Sequence, residues 1–131
     1  MRGQLSHIEI YVSDLERSSS FWGWFLGELG YTSFQRWDKG QSWKLGATYF
    51  VIVQTEDDFK ASSYHRKNVG LNHVAFHAES RQDVDQMINK LKVKNIPILY
   101  PEQHPEVNSQ NYAVYFEDPD RIKVEFVSTP K

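Results

Sequence analysis

The sequence predicts an α+β chain of two βαβββ modules that pair into a curved mixed sheet with helices outside. Three observations carry this. Leu5-Ser6-His7-Ile8-Glu9-Ile10-Tyr11-Val12 is echoed by Leu71-Asn72-His73-Val74-Ala75-Phe76-His77-Ala78, with His7 and His73 standing 66 residues apart in a chain of 131. Each copy reads as a strand followed by a polar cap and an amphipathic helix, the mark of a repeated supersecondary unit. With 40% apolar and 15% aromatic residues, the chain can bury a core as one domain, 1–131, of two halves, residues 1–56 and 71–131, joined by a linker at 57–70.

In the first module, Ile8, Ile10 and Val12 alternate with His7, Glu9 and Tyr11, a period of two that predicts a half-buried strand over 4–12. Ser13-Asp14-Leu15-Glu16 has the spacing of a capping box. Phe21, Trp22, Phe25, Leu26 and Leu29 follow at helical spacing, and Gly30 is placed to end that helix. Strands are expected at 33–37, 42–45 and 48–54, with Asp38-Lys39-Gly40 as a turn. The polar run from 57 to 70 interrupts the pattern.

The second module repeats the order. A strand over 71–78 leads to the cap Ser80-Arg81-Gln82-Asp83, and Val84, Met87, Ile88 and Leu91 fall on one helical face. Strands are expected at 96–99, 112–117 and 122–127, with Asp118-Pro119-Asp120-Arg121 turning the last hairpin. Pro101, His104 and Pro105 mark an irregular loop able to overhang a site.

Composition narrows the functional classes. A formal net charge of −2 and scattered Lys and Arg residues give no basic stripe for a phosphate backbone, so no nucleic-acid partner is expected. The sequence has no run of about 18 apolar residues and no charged-then-apolar leader, which argues against a membrane partner and for the cytoplasm. With no cysteine, thiolate chemistry is excluded and any metal must sit on His, carboxylate, amide or water.

The residues resemble a known family. The opening Leu5-to-Ser18 stretch, Phe21-Trp22, Leu29-Gly30-Tyr31, and the late Tyr115-Phe116-Glu117-Asp118-Pro119-Asp120 before Val124-Glu125-Phe126 look like the vicinal oxygen chelate superfamily. That superfamily includes glyoxalase I, bleomycin-resistance proteins and extradiol dioxygenases. The resemblance implies a cleft lined by the concave sheet, with ligands for a divalent ion (Zn, Ni, Mn or Fe(II)) on the first and last strands of the modules. It also implies a small-molecule substrate and a homodimer.

His7 and His73 match the first-strand ligand positions and Glu125 the last-strand position of the second module. The residues agree, since both histidines lie on the polar face of their strands and Glu125 alternates against Val124 and Phe126. A single strand histidine is usually hydrogen-bonded scenery; the repeated position together with the placed glutamate makes a ligand set. Two His and one carboxylate hold a divalent ion with positions left open, and Glu125 doubles as the catalytic proton carrier. In the first module Ile52, Gln54 and Glu56 share one strand face, and Gln54 is taken as the further ligand. A neutral amide there resembles methylmalonyl-CoA epimerases, a carboxylate glyoxalase I, and an Ile the three-ligand dioxygenases and fosfomycin-modifying transferases.

Other residues carry less weight. His77 lies about 13 Å along the strand from His73, too far to share an ion. Tyr11, Tyr49, Tyr112 and Tyr115 pack or offer hydroxyls to a substrate anion. Arg121 stands where relatives commonly have a glycine of positive φ, so the turn is expected to differ slightly and to free the Arg121 cation for an anionic substrate. Two functions fit. The first is a metal-dependent enzyme, of lyase/isomerase or dioxygenase type, acting on a small oxygen-chelating substrate; the alternative is a metal-free protein that sequesters a flat ligand in the bleomycin-resistance manner.

Overall fold

The period-two run at the N-terminus forms β1 (His7–Val12), and the helical spacing after it forms α1 (Leu15–Glu28). The computed structural model describes residues 1–61, 64–101, 106–107 and 111–130. The chain divides into two compact units, Met1–Ser63 and Tyr64–Lys131.

In the first unit β2 (Thr32–Trp37), β3 (Gly40–Leu45) and β4 (Thr48–Gln54) complete a four-stranded mixed sheet of order β1-β4-β3-β2, with β1 and β4 parallel. The helix begins one residue later than the Ser13-to-Glu16 spacing predicts. Asp14 is the cap, accepting from the Arg17 N–H, because the Gln54 side chain already bridges the Leu15 N–H and the Ser13 carbonyl. At the other end Gly30, at φ +96°, closes the helix as predicted. Its N–H reaches the Gly27 carbonyl while that of Tyr31 reaches Leu26, which folds the last turn back on itself. The helix buries Phe21, Trp22, Phe25 and Leu26, and Trp22 stacks on Phe50 of β4 with ring centres 4.4 Å apart. A residue of this size contributes about 1.5–3 kcal/mol by leaving water. This aromatic seam fixes one sheet face against the helix and leaves the other face to carry His7.

The second unit contains β5 (Val74–His77), α2 (Arg81–Val93), β6 (Glu106–Val107), β7 (Tyr112–Glu117) and β8 (Lys123–Ser128), in sheet order β5-β8-β7-β6. Ser80 caps α2 through the Asp83 N–H, and Val84, Met87, Ile88 and Leu91 are its buried residues, as the spacing predicts. Asn95 repeats the role of Gly30 at φ +58°, with Ile96 donating back to Leu91. The expected strand at 96–99 is reduced to a single bridge between Ile98 and Phe116, and the edge of the sheet is β6 instead. Ile96-Pro97 follows directly on the left-handed Asn95, and proline has no N–H to add to a ladder. The described strands therefore pair as two four-stranded mixed sheets, one in each unit. His104 and Pro105 of the expected loop lie outside the described residues.

The last hairpin corrects one expectation. Arg121 keeps the left-handed conformation, φ +68°, that a glycine would take more cheaply. Buried Asp118 holds the turn in that shape: its Oδ1 accepts from the Asp120 and Ile122 N–H groups, both at 2.8 Å, and the Arg121 N–H closes onto the Asp118 carbonyl. The guanidinium lies along the same hairpin, its Nε 3.4 Å from Glu117 Oε2.

Candidate functional site

In the second unit, parallel pairing of β5 with β8 sets Ala75 opposite Glu125 and Phe76 opposite Phe126. Side chains alternate along a strand, so the Val74, Phe76, Val124 and Phe126 face packs inward and the Ala75 and Glu125 face opens outward. His73 precedes β5 in the same alternation. Its Nε2 lies 2.9 Å from Glu125 Oε1, and its Nδ1 lies 2.6 Å from the Asn72 Oδ1. The pair is partly exposed, with 32% of the His73 side chain and 12% of the Glu125 side chain accessible. Tyr115, the register partner of Glu125 on β7, meets the His73 ring edge-on at 6.0 Å.

The protonation logic follows from these contacts. The ring thus meets Asn72 through Nδ1 and Glu125 through Nε2, and its tautomer sets which contact carries the N–H. A ring N–H joins Nε2 to the Glu125 oxygen when no ion is bound, and a divalent ion would take the same two atoms as ligands. The donor set fits a divalent ion. Two ligand atoms each about 2.1 Å from one ion, at octahedral or tetrahedral angles, stand about 3.0–3.4 Å apart, close to the separation of this pair. An imidazole nitrogen, a carboxylate oxygen and an outer amide that orients the ring are the groups such an ion takes.

The first unit presents a different surface. His7 is exposed and stacked on Tyr49, ring centres 4.4 Å apart and planes within 10°, with Nδ1 3.1 Å from Ser6 Oγ. Pairing of β1 with β4 sets His7 opposite Tyr49, Glu9 opposite Val51 and Val12 opposite Gln54. His7, Tyr49, Glu9 and Val51 thus share one face, and Gln54 lies on the other with Val12 and buried Ile52. The Gln54 amide is fully engaged at the start of α1, Oε1 2.9 Å from the Leu15 N and Nε2 2.9 Å from the Ser13 O. Glu56 falls beyond the end of β4. The position equivalent to Glu125 is Val51, since Glu9 pairs with Val51 as Ala75 pairs with Glu125. Among the described residues, neither unit gathers three or more His, Asp or Glu side chains into one cluster.

Sequence reasoning did not single out Asn72 or Lys123, which neighbour the His73 and Glu125 pair. The signal for both was available in position, Asn72 being adjacent to a candidate ligand and Lys123 two residues from Glu125 on the same strand face.

The family model of the Glyoxalase/Bleomycin resistance protein/Dioxygenase superfamily matches residues 4–126. The chain belongs to that superfamily. The uncharacterised protein YqjT of Bacillus subtilis (strain 168) is 56% identical over 125 residues, covering 95% of this chain and 98% of YqjT. A crystal structure from Bacillus halodurans, of a protein provisionally named a glyoxalase, is 54% identical with a TM-score of 0.94, covering 97% of this chain and 96% of that one. The fold is also that of the fosfomycin resistance protein FosX from Listeria monocytogenes, at 22% identity and a TM-score of 0.75 over 99% of this chain and 96% of that one. Membership fixes the architecture and a superfamily in which divalent metals are common, while the reaction rests on the site's own residues.

Proposed function

We propose that this superfamily member is a divalent-metal-dependent enzyme, of the lyase/isomerase or dioxygenase type, acting on a small substrate that offers two neighbouring oxygens. The observation that carries the reading is the His73 and Glu125 pair, an imidazole nitrogen and a carboxylate oxygen 2.9 Å apart with Asn72 against the far ring nitrogen. His7, which occupies the repeated position in the first unit, is proposed as the third donor. Gln54 is left out, because its amide holds the start of α1 on the opposite sheet face. A bound divalent ion would polarise the substrate oxygens and stabilise negative charge that develops on them.

The chain's own groups supply the rest. Asn72 keeps the Nδ1 proton in place, so that Nε2 is the donor atom. Glu125 is the proposed proton carrier, since its Oε1 faces His73 and its second oxygen remains for the substrate. Tyr115 closes one side of the pair with an aromatic wall. The protein is proposed to act in the cytoplasm and as a homodimer, in keeping with the resemblance; no described helix is long and apolar enough to cross a membrane.

The test is metal content per chain by plasma mass spectrometry, on untagged protein purified without chelator, beside the His7→Ala and His73→Ala variants. Near-stoichiometric Zn, Ni, Mn or Fe in the parent protein, lost in both variants with the thermal melt preserved, is the expected result. No metal after divalent ions are added back overturns the reading in favour of a metal-free ligand-sequestering protein.

A further inference from the structure

Beside Glu125 stands a cation that no carboxylate among the described residues pairs with. Lys123 and Glu125 are two apart on β8, so their side chains rise from the same sheet face roughly 6.6 Å apart. The Lys123 ammonium lies 4.8 Å from the ring centre of Tyr100 and 4.7 Å from that of Tyr115, and it donates to the Tyr100 hydroxyl at 2.9 Å. The two rings meet edge-to-face at 5.7 Å, and Tyr115 in turn meets His73. A chain of contacts therefore runs from the ammonium to the candidate metal pair.

The charge around it decides the role. The cross-strand register partner of Lys123 is Glu117, the natural candidate for an ion pair on this face. Glu117 is already taken from the other side: Arg66 Nη1 sits 2.7 Å from its Oε2 and Arg121 Nε 3.4 Å from the same oxygen. Glu125, the next carboxylate along β8, faces His73. Among the described residues no carboxylate lies within ion-pairing distance of Lys123. An ammonium has three N–H donors, and among the described residues one is directed at an oxygen, the Tyr100 hydroxyl. Two aromatic faces hold the cation in place without neutralising it, which is the arrangement that keeps a positive charge available to a ligand.

We propose that Lys123 anchors an acid group of the substrate, a carboxylate or a phosphonate or phosphate, on the same ligand whose oxygens approach His73 and Glu125. The substrate class of the proposed enzyme is then a small anionic molecule, with its acid group within one strand repeat of its chelating oxygens. Tyr100 and Tyr115 are positioning residues for the ammonium. This assignment rests on the proposed metal site for the second anchor alone; the anion contact stands on Lys123 and its two tyrosines.

The experiment uses the full chain carrying 13C-labelled tyrosine rings, titrated with malonate and with phosphonoacetate, and with uncharged glycolamide as the control. Each titration is run with and without Zn(II), and ring shifts are read by NMR. At least one of the two acids is expected to shift the Tyr100 and Tyr115 rings without added metal, with glycolamide leaving them in place. Lys123→Met is expected to weaken that binding at least tenfold, Lys123→Arg to retain most of it, and metal content per chain to stay unchanged in both. Lys123→Gln serves in place of the Met variant if its melt is disturbed. Acid binding that is equal in the parent and the neutral variants, or rings that neither acid moves, overturns the assignment. A parent protein that takes up no metal overturns the metal reading instead, and the metal-free titration still decides Lys123.

Discussion

Replacing Asn72 probes the candidate metal pair without touching a donor atom. Its Oδ1 lies 2.6 Å from His73 Nδ1, where it orients the ring and, with an ion on Nε2, would accept the Nδ1 proton. In Asn72→Leu that acceptor is gone, the ring is free to rotate and to exchange tautomers, and Nε2 is less basic. Loss of such an outer partner weakens metal binding about 10- to 100-fold, which is about 1.4–2.7 kcal/mol. The hydrogen bond is solvent-exposed, so global stability should move by less than about 0.5 kcal/mol. Asn72→Asp changes the sign of the argument: a carboxylate accepts the same proton more strongly and raises the basicity of the ring, so affinity should equal or exceed that of the parent chain. The assay is a Zn(II) competition titration against a chromophoric chelator, with thermal melts of all three proteins alongside. Unchanged affinity in Asn72→Leu, or a loss in Asn72→Asp equal to that in Asn72→Leu, would refute the orientation argument.

Three other substitutions separate structural roles from site roles. Gln54→Leu removes the partner of both the Leu15 N–H and the Ser13 carbonyl, and should cost about 1–3 kcal/mol in a urea melt while leaving metal content unchanged. Arg121→Gly should stabilise by about 0.5–1 kcal/mol in the same assay. Relief of a left-handed residue is worth about 1–2 kcal/mol, and it outweighs the added chain entropy of glycine together with an ion pair whose arginine is 70% exposed and whose Glu117 keeps Arg66. Tyr112→Phe breaks the 2.6 Å bond to Asp85 that ties β7 to α2, for about 0.5–1.5 kcal/mol at neutral pH. That bond raises the Tyr112 pKa above 10.0, with burial adding to it, so its contribution is full below pH 10 and is lost as pH climbs through the raised value. Melts of the parent and the Phe variant should therefore converge in strong alkali, and a gap that widens there would contradict the assignment.

Most of the architecture was legible because local signals agreed with one another. The period of two at β1, the helical stripes of α1 and α2, and the Gly30 stop each follow from rules that act over a single turn or strand. The reading failed where distant residues decide. The Gln54 side chain displaced the start of α1 by one residue, from 39 positions away in the chain. Its own placement was misjudged because Ile52, Gln54 and Glu56 were weighed as one face without the pairing to β1. A slip of one residue in register exchanges the two faces of a strand, and no local pattern in β4 fixes that choice. Arg121 was misread for a related reason: glycine preference is local, whereas the Asp118 side chain that enforces the turn is a tertiary contact.

The repeat also hides a functional asymmetry that only the register exposes. Both units place a histidine at the start of the first strand, and in both the residue two positions on pairs with a definite position on the last strand. That partner is Glu125 in one unit and Val51, 3% exposed, in the other. Around Val51 the first unit builds a hydrophobic and aromatic surface, with His7 on Tyr49, Phe34 edge-on to Tyr49, and Lys44 over Phe34. Around Glu125 the second builds a polar one, with His73, Asn72 and a caged Lys123. One scaffold written twice thus carries two unlike faces, a polar one in the second unit and an apolar, aromatic one in the first. Val51→Glu, which restores the symmetry, should lower stability by several kcal/mol by burying a carboxylate against the apolar face, unless a cation is supplied. Stabilisation of that variant by added Zn(II), absent in Val51→Gln, would show that the apolar face retains the geometry of a ligand site, and equal melts with and without the ion would show that it does not.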